Sequence, residues 1–487
     1  MKKINLILAA AFGIAALSSC SGLLDVKNPS AIYGSNYWSN KDEVNSYLTG
    51  TYTKFRSLNN TMEYFEARGD EFAAGLEDAG TNLWAHNISE TQAYSWADFY
   101  STIQHINMVI KYAGTVSYGL ESEKNQILAE AYTMRAHVYF QLVRIWGKVP
   151  LELEPTEGSS KERLGRAPIT DVMAQIYEDL NTAIDLFPVD DWGQGKYRAS
   201  KRAAYAVMAD AKLWDAKVVS KDAALYDDVI RYADLAAAGT SLEEDFSQIY
   251  GKRNGKEVIW AIYYGYPETS GDSYTHFMTL RDVFVEKAVN KDDVPYAKSG
   301  ARSRYNPSDK LRAMMTKYAG DVRLANAYVD AMSATNTVLG TSQVKMRGTK
   351  TETNVIFDND NILYRHAEMI LFKAEAYAAK NMTSEAVAEL NKIRKRAGIG
   401  NYAGATDKTT VELEILEERG REFFLENRRW PDLLRFHAEG LVDVYQIVPK
   451  LKERYDMGTT VPLYLSIPIS EITLNDKLEQ TEGYEEI

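Results

Sequence analysis

The chain of 487 residues has one cysteine, Cys20, so no intramolecular disulfide can form, and stability must come from a large packed core. Positive charge is also short: 56 Lys and Arg stand against 68 Asp and Glu, a net charge of −12, which argues against nucleic acid as a partner. After the N-terminal leader, no stretch approaches the roughly 20 apolar residues of a membrane span. The six histidines (86, 105, 137, 276, 366 and 437) show no spacing of the HExxH kind, so no metal site is expected. "DNDN" at Asp358–Asn361 is oxygen-rich but lacks the following glycine and the twelfth-position glutamate of an EF-hand, and reads as a solvated turn. No glycine loop suited to phosphate appears: "GKRNGKE" at Gly251–Glu257 follows no strand and reads as a tight turn. No cofactor is expected.

What is present begins with the leader. Lys2 and Lys3 precede a nearly continuous apolar run from Ile4 to Leu17, the layout of a secretory signal over residues 1–19. Leu17-Ser18-Ser19-Cys20 resembles the bacterial lipobox, in which the cysteine takes a lipid and becomes the first mature residue. Each buried CH2 contributes about 0.8 kcal/mol, so one acyl chain anchors weakly and two or more anchor stably. Cys20 is therefore expected to be the lipid attachment and the chain's one anchor.

Helical periodicity dominates the rest. Apolar and small residues recur at three- and four-residue steps in Glu43–Phe55, Ala97–Tyr112, Ser122–Trp146, Thr170–Leu186, Ser200–Val219, Ala223–Ala237, Ile362–Ala379, Ser384–Ala397 and Val411–Arg435. Gly239 and Gly398 read as helix stops. Lys256–Tyr264 and Val461–Ile467 are the best extended segments. Three alanine-spaced stretches, "AEAYTMRAHVYFQLV", "RAAYAVMADAKLWDA" and "AEMILFKAEAYAAKN", resemble one another, and the last two are each followed by a turn and an amphipathic helix. This approximates the 34-residue tetratricopeptide unit without consecutive tandem repeats. The expected fold is all-α: a tetratricopeptide-like scaffold of helical hairpins, with minor β and long irregular inserts at Asp70–Tyr94, Lys148–Pro168, Gly265–Asn306 and Thr335–Asn361. Segments of that length without regular structure are more often binding loops than spacers.

The inserts carry aromatic residues in polar surroundings. The chain has 32 tyrosines against 15 phenylalanines and 8 tryptophans, a bias toward rings with a polar edge that suit wet interfaces and sugars. Trp84 and Tyr94 lie in the first insert, and Tyr264, Tyr266 and Tyr274 lie in or beside a later one. Flat rings stack on the C–H faces of pyranoses, while side chains such as Asn82 hydrogen-bond hydroxyls. Each ring could instead pin its own loop. Trp96 opens a helix and is expected to be packed.

Glu418, Glu422 and Glu426 recur every four residues, placing their carboxylates on one helix face about 6 Å apart. Retaining glycosidases need two carboxylates at about 5–5.5 Å. Interleaved Arg419, Arg421, Arg428 and Arg429 favour a structural salt lattice instead, because carboxylates paired with arginine cannot protonate a leaving group. No catalytic residue is assigned, and an enzyme is not expected.

Several longer stretches carry a resemblance. "CSGLLDVKNPSAIYGSNYWSNKDEVNSYLTGTY" resembles the start of SusD/RagB-family lipoproteins, "RHAEMILFKAEAYA" one of their central helices, "ILEERGREFFLENRRWPDLLRF" their C-terminal helix, and "IPISEITLNDKLEQTEGY" their closing segment. Asn427 stands where glycine is commoner, and Pro431 interrupts the usual Trp-Phe-Asp. The resemblance spans nearly the whole chain and implies one SusD-like domain over 20–487, its two parts covering about 20–220 and about 255–487. It also implies a lipid-anchored protein on the outer membrane facing outward, docked on a SusC-like TonB-dependent transporter, binding oligosaccharide or peptide without catalysis. Asp70 lies near where the family places a ligand-contacting acid. A tetratricopeptide-type adaptor without a small ligand is the reading from another class.

Overall fold

The structure is a computed structural model that describes residues 37–59, 61–77, 80–157, 162–268, 275–298, 301–352 and 354–484. The leader and Cys20 lie outside them. Twelve helices carry the architecture: α1 (Lys41–Leu58), α2 (Met62–Phe65), α3 (Ala97–Ala113), α4 (Glu121–Trp146), α5 (Ile169–Leu186), α6 (Lys201–Trp214), α7 (Leu225–Ala237), α8 (Asp309–Thr316), α9 (His366–Ala379), α10 (Thr383–Arg396), α11 (Lys408–Phe423) and α12 (Arg429–Ala438). Sequence-local signals set most of the ends. The Asn40 side chain accepts from the amides of Asp42 and Glu43, Ser200 caps α6 and Asp407 caps α11, each such cap contributing about 1 kcal/mol. Gly239 and Gly398 take φ of +79° and +78°, the left-handed turn that ends a helix and that glycine adopts without a Cβ penalty.

Helices pack mainly with their sequence neighbours, α4 on α5, α6 on α7 and α9 on α10, while α9 also lies on α7. The alanine seams make this possible. Ala129, Ala131 and Ala136 of α4, Ala204, Ala206 and Ala209 of α6, and Ala367, Ala374 and Ala376 of α9 are all fully buried. The expected alanine-spaced hairpins are thus the scaffold. One continuous core runs from Trp38 to Tyr484, so the two ends of the described chain share it.

Ten short strands among the described residues form five two-stranded ribbons, of which the three longest use β1 (Phe72–Ala74), β2 (Val258–Ile262), β3 (Tyr305–Pro307), β4 (Tyr328–Met332), β5 (Val338–Gln343) and β6 (Asn361–Arg365). All three pairs are antiparallel: β1 with β3, β2 with β6, and β4 with β5. The β1–β3 pair, in the register Phe72↔Pro307 and Ala74↔Tyr305, ties the first insert to the third.

Three expectations needed correction. Ile362 to Arg365 pairs with β2, and α9 starts only at His366, because the apolar run satisfies strand burial as well as helix burial. Val461–Ile467 does not pair as a strand, and its Leu465 amide donates to the carbonyl of Ile145. The helix expected over Val411–Arg435 is broken between Phe424 and Arg428. Leu425 and Asn427 there take φ of +63° and +62°. The Glu66 carboxylate accepts from the Leu425 amide at 2.6 Å and the Arg428 amide at 3.1 Å, satisfying the donors that the break exposes. Asn427 occupies a left-handed position, where asparagine is the best substitute for glycine.

Candidate ligand-binding surface

The first insert folds inward. Trp84 is 7 % exposed, its Nε1 donates to the Phe72 carbonyl at 3.3 Å, and its ring centre lies 6.2 Å from that of Tyr305. The Lys450 ammonium sits 5.0 Å from the ring centre, closing another side. Gly80 passes so close that a Cβ would lie 2.3 Å from the indole. Thr81 Oγ1 donates to Glu63 Oε2 at 2.6 Å, and Tyr305 Oη donates to the same carboxylate at 2.8 Å. Trp84 therefore pins the loop onto the β1–β3 ribbon, and the expectation of an open stacking face at Trp84 is corrected.

Asp70 is likewise withdrawn. It is 1 % exposed and receives Arg429 Nε at 2.6 Å and Nη2 at 2.8 Å, a bidentate ion pair that uses both oxygens. A carboxylate spent in this way has no face for a ligand, so the expected contact role is corrected to a structural one. Next to it, burial and the nearby Glu66 push the Glu71 carboxyl well above the usual range. Tyr94 and Asn82 stay at the surface. Tyr94 is half-buried, edge-on to Tyr64 with centroids 6.0 Å apart, and Asn82 is exposed. Burial and the Glu63 carboxylate raise the Tyr94 phenol, so it remains a neutral donor at physiological pH. Trp96 is packed, 4 % exposed, as expected.

Tyr266 has the opposite environment. Its residue is 53 % exposed, while its amide donates to Asp358 Oδ2 at 3.0 Å. The backbone is held and the ring is left in water. Behind it lies a polar cluster. Arg253 Nη1 donates to Asp360 Oδ1 at 2.7 Å, and Arg253 Nη2 donates to the Asp358 carbonyl at 2.9 Å. Tyr197 Oη donates to Asp360 Oδ2 at 2.7 Å, and its ring meets Tyr263 edge-on at 5.3 Å. The Arg253 guanidinium lies 5.1 Å from the Tyr263 ring centre. Burial raises the Asp360 carboxyl, partly offset by Tyr197, the Tyr264 amide and Arg253. Tyr264 is buried at 7 %. Tyr274 lies outside the described residues.

Among the described residues no ring contact joins Tyr266 to Trp84 or Tyr94. Of the three expected rings that are described, Trp84 is core, while Tyr94 and Tyr266 keep accessible edges in separate loops. The Arg253–Asp358–Asp360 cluster was missed. Both of its segments were visible, as a tight turn and as a solvated turn. The first reading holds, with Asn254 at φ +53°, but the second does not, since Asp358 is 4 % exposed and bonded on several sides. Only their meeting across 105 positions of sequence, invisible locally, makes a cluster.

Glu418 and Glu422 of α11, and Glu426 just past its end, are consumed by arginines and Lys345. Glu418 pairs with Arg323 at 2.6 Å and Arg421 at 2.6 Å, Glu422 with Arg365 at 2.7 Å and with Arg396, and Glu426 with Arg365 at 2.8 Å and Lys345 at 2.5 Å. All three glutamates are at most 4 % exposed. Burial would raise the Glu422 carboxyl, but Arg396, Arg365 and Arg323 outweigh it and hold it far below the usual range. The salt lattice is present, with most partners supplied by other segments than the interleaved arginines. Among the described residues, no group of three His, Cys, Asp or Glu side chains is arranged to hold a metal.

Comparison with known proteins gives these arrangements a context. Residues 174–484 match the SusD family, and residues 23–213 match a family described as starch-binding and associating with the outer membrane. The chain is 24% identical over 483 residues to SusD-like protein P38 of Formosa agariphila, covering 89% of this chain and 91% of that one. It is 35% identical over 130 residues to the starch-binding protein SusD of Bacteroides thetaiotaomicron, covering 26% of this chain and 22% of that protein. A SusD superfamily protein from Bacteroides fragilis superposes with a TM-score of 0.80 at 22% identity, covering 92% of this chain and all of the other. A laminarin-binding SusD-like protein superposes at 0.75 and 22% identity, with the same coverage. At such identities the superpositions establish the shared helical fold.

Proposed function

Since the chain belongs to the SusD family, we propose that it captures oligosaccharide at the outer face of the outer membrane and hands it to a SusC-like TonB-dependent transporter. Residues 20–487 act as one unit, held to the membrane by lipid on Cys20. Relatives named for starch and laminarin binding support glycan as the ligand class. The observation that carries the reading is Tyr266: a large ring 53 % exposed, on backbone fixed to a buried carboxylate. An exposed aromatic held this rigidly can stack on a sugar at little cost in conformational freedom. Tyr94 and Asn82, in the first insert, supply a second ring edge and an amide for hydroxyls. Glu418, Glu422 and Glu426 take no chemical part, being neutralised by arginine and lysine.

Affinity electrophoresis of the full mature chain in gels containing soluble starch or laminarin tests the ligand. Retardation on either supports glycan capture. Free migration on both, with retention of peptides instead, would replace glycan by peptide. Co-purification from mild detergent tests the partner, and repeated recovery without a large barrel protein would remove the transporter from the account. Cys20→Ala should release a folded protein from membranes, and unchanged fractionation would reject the anchor.

A further inference from the structure

A cavity of about 360 Å³ opens between the turn after Tyr250, the loop Val344–Thr349 and the segment Asp358–Asp360. It is linked to Tyr266 through Asp358, which lines it and accepts from the Tyr266 amide. Its volume is at the small end of the roughly 300–1,000 Å³ of ligand pockets, room for a sugar unit or two. Ile249, Val258 and Ile362 give it an apolar wall.

The charges around it do not cancel. Asp358 accepts from Tyr266 and from Thr349 Oγ1 at 3.0 Å, and Asp360 is filled by Arg253, Tyr197 and the Tyr264 amide. Asn359 accepts from the Gly348 amide at 2.7 Å and donates to the Tyr250 carbonyl at 3.0 Å. Lys345 is buried and donates to the carbonyls of Glu422 and Phe424 beside its pair with Glu426. Arg253 answers the two aspartates. Two cations on the cavity lining remain, Lys252 and Arg347, both exposed and in no ion pair among the described residues. In a chain of net charge −12, this is a local excess of positive charge at the mouth of a concavity.

We propose that this cavity is a subsite for an acidic sugar residue, its carboxylate or sulfate held by Arg347 and Lys252 and its ring resting on the apolar wall beside Tyr266. Arginine is suited to such an anion because its fork binds two oxygens at once. The proposal rests on the glycan reading and narrows it to anionic glycans.

The test uses the full mature chain and its Lys252→Gln/Arg347→Gln double variant. Calorimetric titration is done with galacturonate trisaccharide, a sulfated galactose trisaccharide and neutral laminaritriose, at low and at physiological salt. The wild type should bind at least one acidic probe more tightly than the neutral one, and that binding should weaken as salt rises. Whether the uronate or the sulfate binds identifies the anion. The double variant should lose roughly tenfold or more for that probe, the equivalent of about 1.4 kcal/mol, and keep its response to laminaritriose and its melting temperature. Equal binding of acidic and neutral probes, or an undiminished acidic affinity in the double variant, overturns the subsite and leaves glycan capture standing. If none of the three probes binds and the gels with starch and laminarin show no retardation, glycan capture falls and the subsite falls with it.

Discussion

The α11 lattice and the Tyr266 cluster are both dense in charge, and they use it differently. Around Glu418, Glu422 and Glu426 the partner cations are Arg421 on the same helix and, from four other segments, Arg323, Lys345, Arg365 and Arg396, and every one of these side chains is at most 4 % exposed. Around Asp358 and Asp360 the carboxylates are answered by one arginine, while Lys252 and Arg347 stay at the surface without a carboxylate. Charge that is matched and dry fixes packing, because removing one partner strands the others. Charge that is unmatched and wet is free to meet a ligand. The same contrast separates two rings: Trp84 is enclosed by its neighbours and Tyr266 is not.

The contrast can be broken by mutation, and the largest effects are expected in the lattice and at Trp84. Arg365→Ala takes one cation away from Glu257, Glu422 and Glu426, leaving more buried negative charge than Arg396 and Lys345 can match, and should cost about 3 kcal/mol in urea unfolding. A loss below about 1 kcal/mol would mean that water or neighbouring cations replace it. Trp84→Ala should cost about 3 kcal/mol through the cavity that it leaves. Unchanged stability with lost glycan binding would restore Trp84 to the ligand surface.

Acid should act with a definite sign on the buried ion pairs, both on the lattice and on Glu375 of α9, which pairs with Arg435 and Lys217. Burial would raise the Glu375 carboxyl, but Arg435 and Lys217 outweigh it and hold it down to about 2, and Glu422 is shifted the same way. Groups lowered on folding contribute stability that is present above the unfolded value of about 4.3 and is lost as pH falls through the folded value. Urea midpoints should therefore drop between about pH 5 and pH 2. Glu71, raised by burial and by Glu66, contributes in the opposite sense: its share is full below about pH 4.3 and is lost as pH rises through its folded value. Glu71→Gln should accordingly leave stability at pH 4 nearly unchanged and raise it at pH 8. A variant destabilised equally at both pH values would contradict that sign. The smallest effect belongs to Asn427→Gly, where the left-handed backbone suits glycine, and a change below about 1 kcal/mol is expected.

The helices were legible because their signals are local. Alanine spacing, the glycine stops and the three-to-four periodicity put most helix ends within a few residues of the observed ones. What was not legible depends on distant partners. Nothing near Leu425 announces that Glu66, 359 positions away, will cap a break in an otherwise continuous amphipathic pattern. Trp84 looks like a loop ring until β1 meets β3, and Asp70 looks free until Arg429 arrives. Polar context in sequence therefore overestimated exposure at Trp84, Asp70 and Asp358. Tyr266, whose surroundings read the same way, is the most exposed of the expected contact rings among the described residues.

The most direct test of the account is therefore Tyr266→Ala in the full mature chain, followed by affinity electrophoresis on soluble starch, laminarin and polygalacturonate beside a thermal melt. Stacking on aromatic rings is worth roughly 1–3 kcal/mol in the related case of nucleobases, so retardation on whichever glycan holds the wild type should largely disappear. The melting temperature should stay within about 2 °C of the wild type, as for a surface substitution that changes stability by at most about 0.5 kcal/mol. Full retention of glycan binding by a folded Tyr266→Ala protein would contradict the account.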